Sequence, residues 1–175
     1  MDNKAIAFKG GYLDQLQIQA ILVLLVTACI LPFIIHLIPP YNGIPMGAFL
    51  LPMFYIPFIA VFFYKLHVGL IIAALAPIIN FLITGNPDWQ FITVLSVELV
   101  VFTLFAYVLL KTHWSTFAAP LAYLLTKILS SLLLFLIPVL PISPIDFFSN
   151  SITNGAPGVV VLLVINWLLI KKWNK

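Results

Sequence analysis

Two residues of this chain carry full charges inside long apolar runs: Glu98 in ITVLSVELVVFTL (92–104) and Lys127 in YLLTKILSSLLLFL (123–136). A carboxylate accepts hydrogen bonds from amines, and an ammonium donates them to carboxylates or phosphates. Near the centre of a membrane helix each charge costs about 2.5–3.5 kcal/mol on insertion scales. Two arrangements offset that cost. The pair can neutralise itself inside a bundle without touching a ligand, or it can belong to a site whose solute supplies complementary groups.

Helical spacing gathers further polar groups around the pair. Tyr123, Lys127, Ser130 and Ser131 fall on one face of their helix, so that face is not suited to lipid. Asn80 repeats with Ala76 and Thr84 every four residues; its amide reads either as interhelical hydrogen-bond glue or as a ligand contact. Asn154 opens the last apolar run, and Gly155 and Gly158 after it permit close backbone approach. His36 closes the first run, as a ligand contact or as an interfacial side chain with its polar tip wet. Trp89 sits at a span edge, where an indole anchors at the interface or contributes to a lid. The candidate substrate-binding set is therefore Glu98, Lys127, Tyr123, Asn80, Asn154, Trp89 and His36.

Other chemistry finds little support. HExxH, GxSxG and a close aspartate pair are all missing, so no catalytic residues are expected and the chain does not read as an enzyme. No GxxxxGK[ST] loop occurs, so an ATP-driven role needs separate ATPases. The single cysteine rules out an internal disulfide, and no Cys/His zinc pattern or other metal site is visible. Met46, Met53 and His36 lack a spacing for haem ligation, and no cofactor is expected. Eight lysines without an arginine make no compact basic surface for nucleic acid. Val26-Thr27-Ala28-Cys29 resembles a lipoprotein cleavage box, but the apolar run continues through Ile35, so Cys29 reads as a small residue within a span.

The elements that must position these groups follow from composition. At 63% hydrophobic and 7% charged, the chain reads as an all-α integral membrane protein. Its 175 residues hold about six spans of roughly 20 residues each and little else. Proline, glycine and charge divide residues 1–175 into a single six-helix membrane domain, with spans at about 16–35, 46–64, 67–84, 91–110, 117–137 and 154–170. Lys4, Lys9, Lys65, Lys111, Lys171, Lys172 and Lys175 then all fall on one side, and Asp88 and Asp146 on the other. The positive-inside rule puts both termini in the cytoplasm. The outer connections, 36–45, 84–90 and 138–153, are long and rich in Pro, Gly and Asn, as binding loops and lids usually are; the stretch 34–45 suits a gate.

Six spans, outer connections of this kind, a last span opened by NGAPG (154–158) and closed by LLIKKW (168–173): this whole-chain pattern resembles the S-component of energy-coupling factor (ECF) transporters. The resemblance implies a subunit in the bacterial cell (inner) membrane that captures a vitamin or related micronutrient from outside. Its partners would be a membrane coupling protein and two cytoplasmic ATPase subunits, besides the lipid bilayer and the small-molecule solute. The family's pocket lies in the outer halves of spans four to six beneath the outer connections, at positions held here by Glu98, Lys127, Tyr123, Asn154, Trp89 and the loop Tyr41 to Pro45. Alanines spaced by four on the first span often dock the coupling protein in that family; here Ala20 and Ala28 flank Leu24, a departure from the pattern that leaves a solitary binding or transport protein as a further reading. An MreD-like membrane scaffold of rod-shape and cell-wall assembly is the alternative; it needs a partner surface but no buried acid and base.

Overall fold

In lipid, every backbone polar group must be satisfied within its own segment, so long apolar runs fold as helices. The computed structural model describes residues 15–85 and 88–173, and they form an all-α bundle with six apolar segments long enough to cross a membrane. Helix α1 is Gln15–His36, α2 Met46–Leu50, α3 Pro52–Phe63, α4 Leu66–Thr84 and α5 Trp89–Leu110. A 3-10 turn at Ser115–Phe117 leads into α6, Ala118–Leu136, and α7 is Pro144–Trp173. Between α1 and α2 the chain reverses through Asn42 (φ 50°) and Gly43 (φ 78°), with Tyr41 and Ile44 exchanging backbone hydrogen bonds of 3.0 and 2.9 Å. Positive φ at both central residues suits an Asn-Gly pair.

Two elements differ from the sequence reading. The second span is broken at Leu51, which takes the left-handed conformation (φ 53°, ψ 42°) between α2 and α3. Pro52 favours the break: its ring disfavours the right-handed helical conformation for the residue before it, and it brings no N–H of its own. The Tyr55 hydroxyl donates to the Leu50 carbonyl that the break releases. The last span, expected from Asn154, already runs helically from Pro144, where a loop was predicted. Ser143 caps it: its Oγ accepts from the Asp146 backbone N–H at 3.1 Å and donates to the Asp146 carboxylate at 2.7 Å. Pro at the first helical position completes this start signal. At 30 residues α7 is about 45 Å long, well beyond the hydrocarbon thickness of a bilayer.

The core joins α3, α5, α6 and α7. Phe54 makes edge contacts with Phe102 (centroids 5.0 Å apart) and Tyr123 (5.2 Å), while Ala106, Ala118, Ala119 and Ala122 let helices approach closely. A second cluster brings Ala28 of α1 against Ala60 of α3 and Ala76 of α4. Ala28 is buried there and Leu24 packs on the same cluster, so the four-spaced row of α1 faces into the bundle. The outward face of α1 is Leu22, Val23, Val26, Ile30 and Phe33.

Helix alternation puts Lys65, Lys111, Lys171 and Lys172 at one end of the bundle. Lys4, Lys9 and Lys175 lie outside the described residues, as do Asn86 and Pro87 of the α4–α5 connection. The opposite end carries the α1–α2, α4–α5 and α6–α7 connections, and the polar residues of interest gather toward it.

Candidate functional site

Glu98 of α5 and Lys127 of α6 meet. Lys127 Nζ lies 2.8 Å from Glu98 Oε1 and 2.7 Å from Oε2, and Ser130 Oγ, one helical turn further on α6, donates to Oε1 at 2.7 Å. Both charged residues are buried, at 2% and 6% exposure. Glu98 thus accepts three hydrogen bonds, and Lys127 spends two of its three N–H groups on one partner. Three aromatic rings surround the ammonium: Phe147 at 4.8 Å, Tyr123 at 5.6 Å and Phe54 at 6.0 Å from their centroids. Ring faces at these distances attract a cation by about 0.5–2 kcal/mol. The pair is therefore held by its own geometry, and deleting one member would cost about 3–5 kcal/mol by stranding the other.

This pair forms part of the wall of a cavity of about 900 Å³. Six of the seven residues singled out in the sequence line it: His36, Asn80, Glu98, Tyr123, Lys127 and Asn154. They arrive from α1, α4, α5, α6 and α7, so the cavity exists only in the assembled bundle. His36 is exposed at the rim, its ring over Gly47, where an added Cβ would come within 2.7 Å of the imidazole. Tyr123 is fully buried and its hydroxyl donates to the Ser151 carbonyl at 2.9 Å, tying α6 to α7. Asn80 is 3% exposed, and no hydrogen bond among the described residues engages its side-chain amide. Half-buried Asn154 is likewise unengaged among them.

Trp89 is not part of the lining. It is exposed at the start of α5 and packs on Phe81 of α4, centroids 5.5 Å apart. Its position at the first residue of a span places the ring at the rim of the bundle, as an interfacial indole.

Leu51 and Phe147 line the cavity without being among the sequence candidates, and Ser130 joins the ion pair. Phe147 had been assigned to a loop; the Ser143 cap makes it helical and turns it under Lys127, and the S-P-x-D spelling of residues 143–146 was the available signal. Ser130 had been grouped with Lys127 by periodicity, but which of the two neighbouring serines meets Glu98 depends on how α5 and α6 are rotated. Ser131 Oγ is buried without a partner among the described residues. Leu51, turned by the left-handed break, packs against Gly155 and Gly158 of α7: a Cβ on Gly158 would lie 2.6 Å from Leu51 Cγ and 2.7 Å from the Leu50 carbonyl carbon. Those two glycines seat α2 as a cavity wall.

The arrangement offers groups for recognition: one neutralised acid–base pair, the three amides Asn80, Asn150 and Asn154, and an imidazole, among apolar surroundings that include Met53, Phe54, Phe91 and Leu95. Compared with known proteins, the chain matches no family model, no curated protein and no solved structure, so its reading rests on the bundle and this cavity.

Proposed function

We propose that this multi-pass membrane protein is the solute-binding subunit of an uptake system, resembling an ECF transporter S-component and taking a vitamin or a related small micronutrient. The observation that carries the reading is a buried ion pair in the wall of a cavity of about 900 Å³. Cavities of about 300–1,000 Å³, mostly apolar with a few convergent polar groups, are what small-molecule sites look like. The cavity lies at the end away from Lys65, Lys111, Lys171 and Lys172, which under the positive-inside rule faces out of a bacterial cell membrane. Work against a gradient then falls to partners, a membrane coupling protein and two cytoplasmic ATPases.

Native mass spectrometry of the purified protein tests the site. A small molecule should co-purify, and the double variant Glu98→Gln/Lys127→Met should fold but lose it. A double variant that keeps the molecule at native occupancy would assign the pair to structure alone. Cysteine labelling tests the sidedness: Asn42→Cys should react in intact cells and Thr112→Cys only after permeabilisation, and the reverse pattern would turn the bundle over.

A second reading, an MreD-like scaffold, is favoured by one feature. Helix α1 buries the smallest share of its span among the six, leaving an apolar face for lipid or another membrane helix. For that role the cavity would be incidental, and no solute would be retained.

A further inference from the structure

The polar groups of the cavity differ in how far they are already satisfied, and the difference describes the ligand. Glu98 and Lys127 cancel in charge and hold each other at 2.7–2.8 Å, with Ser130 on Glu98 and aromatic rings around the ammonium. The Tyr123 hydroxyl is committed to Ser151. Asn80 is not committed. It is nearly as buried as the pair, it lines the cavity, and its amide has no protein partner among the described residues. If Asn80 were interhelical glue, a bond to a neighbouring helix would be present. Its polar atoms open onto the cavity, where a ligand can supply the partner that the protein does not.

We propose that the solute is uncharged overall and presents a cyclic-amide or similar donor–acceptor edge to Asn80, with its flat apolar body against Phe54, Phe91 and Leu95. This rests on the solute-site reading above and narrows it. A carboxamide offers one donor edge and one acceptor edge side by side, the complement of a lactam or urea edge. The ion pair contributes a dipole and no net charge, so a ligand bearing a net charge brings an uncompensated charge among apolar walls. A net anion at Lys127 also meets the Glu98 carboxylate, and a net cation at Glu98 meets the ammonium. Asn154, on α7, can take a second neutral group.

The test uses three bicyclic probes of similar size: the lactam carbostyril, naphthoate and naphthylmethylammonium. Their binding to the purified full chain is measured by tryptophan fluorescence and calorimetry. Carbostyril should bind best, by about tenfold or more, and Asn80→Leu should remove that preference. The same substitution should leave the thermal midpoint unchanged or raised, because it replaces an unpartnered amide with an apolar side chain of similar size. Asn80→Asp, which keeps the shape but loses the donor, should also lose the preference. Tightest binding by either charged probe overturns the inference while leaving the solute site standing. Carbostyril binding that survives both Asn80 substitutions overturns it too, as does failure of all three probes at millimolar concentration. The native mass spectrum then decides separately whether the solute site itself stands. A lowered thermal midpoint for Asn80→Leu would return Asn80 to a structural role and equally overturn the inference.

Discussion

The two ends of the bundle are built on opposite terms. At the lysine-bearing end, small residues bring helices together: Ala106, Ala118, Ala119 and Ala122 are fully buried between α5, α6 and their neighbours. A fully buried amide there, Asn166 of α7, donates to the Ser115 carbonyl at 3.0 Å and to the Thr116 carbonyl. It satisfies the turn between α5 and α6 and holds it onto α7. At the other end, helices stand apart around about 900 Å³, one span is broken, and the buried amide, Asn80, bonds to no protein group among the described residues. The Asn166 Nδ2 group is thus a clamp, while its own Oδ1 is buried without a partner among the described residues; the Asn80 side chain bonds to no protein group among them at either of its polar atoms. An amide's surroundings decide its role.

That contrast can be broken from the cavity side first. Glu98→Gln or Lys127→Met alone should lower stability by about 3–5 kcal/mol, since each strands a buried charge. Combining them should recover most of that loss, and denaturant titration of the four proteins in detergent gives the coupling directly. Losses that simply add would show the two charges to be independent and dissolve the pair. Next comes Gly158→Ala. Its Cβ would press on the Leu50 backbone, which has no flexible end to give way, so about 1–3 kcal/mol should be lost. Solute retention should fall with it, because α2 loses its seat. Unchanged retention and stability would mean that α2 does not depend on α7.

The lysine end supplies the control. Asn166→Ala should cost about 1–2 kcal/mol through the two released carbonyls, yet leave solute retention as it was. A loss of retention there would show the two ends to be coupled and remove the distinction. Smallest is Ser143→Ala, about 1 kcal/mol for one helix cap. It should show as faster amide exchange over residues 145–147, with Phe147 less well held beneath Lys127. No change in exchange would mean that Pro144 and Asp146 suffice to start the helix.

How much of this was legible depended on range. Spans came from composition and local runs, because lipid forces apolar segments into helices whatever their neighbours. That Glu98 and Lys127 could neutralise each other was legible because both sit near the middle of consecutive apolar runs, at similar depth in antiparallel helices. The break at Leu51 was visible only as a proline inside an apolar run, and many helices carry such a proline without breaking; Pro77 of α4 is one within this chain. What decides at Leu51 is tertiary, namely the glycines of α7 waiting opposite. The ten residues before Asn154 read as a loop from their Pro, Ser and Asn content, yet Ser143, Pro144 and Asp146 in that order start a helix. Trp89 was placed correctly at a span edge, but whether an edge residue turns inward is set by helix rotation, which a single apolar stripe does not fix.

The ion pair has a consequence for how the chain is made. Its partners lie 29 residues apart on consecutive helices, so the acid is synthesised before its base. When α5 first meets the membrane, Glu98 has no counterion, and insertion as a lone helix carries the full penalty of a central carboxylate. Lys127 follows only with α6, joined through the short turn after Leu110. The two helices are therefore expected to enter the bilayer as a hairpin, with α5 waiting at the insertion site until α6 arrives. In a nascent chain ending soon after Lys111, a photocrosslinker placed in α5 should still reach the insertion machinery, whereas in one that includes α6 it should reach lipid.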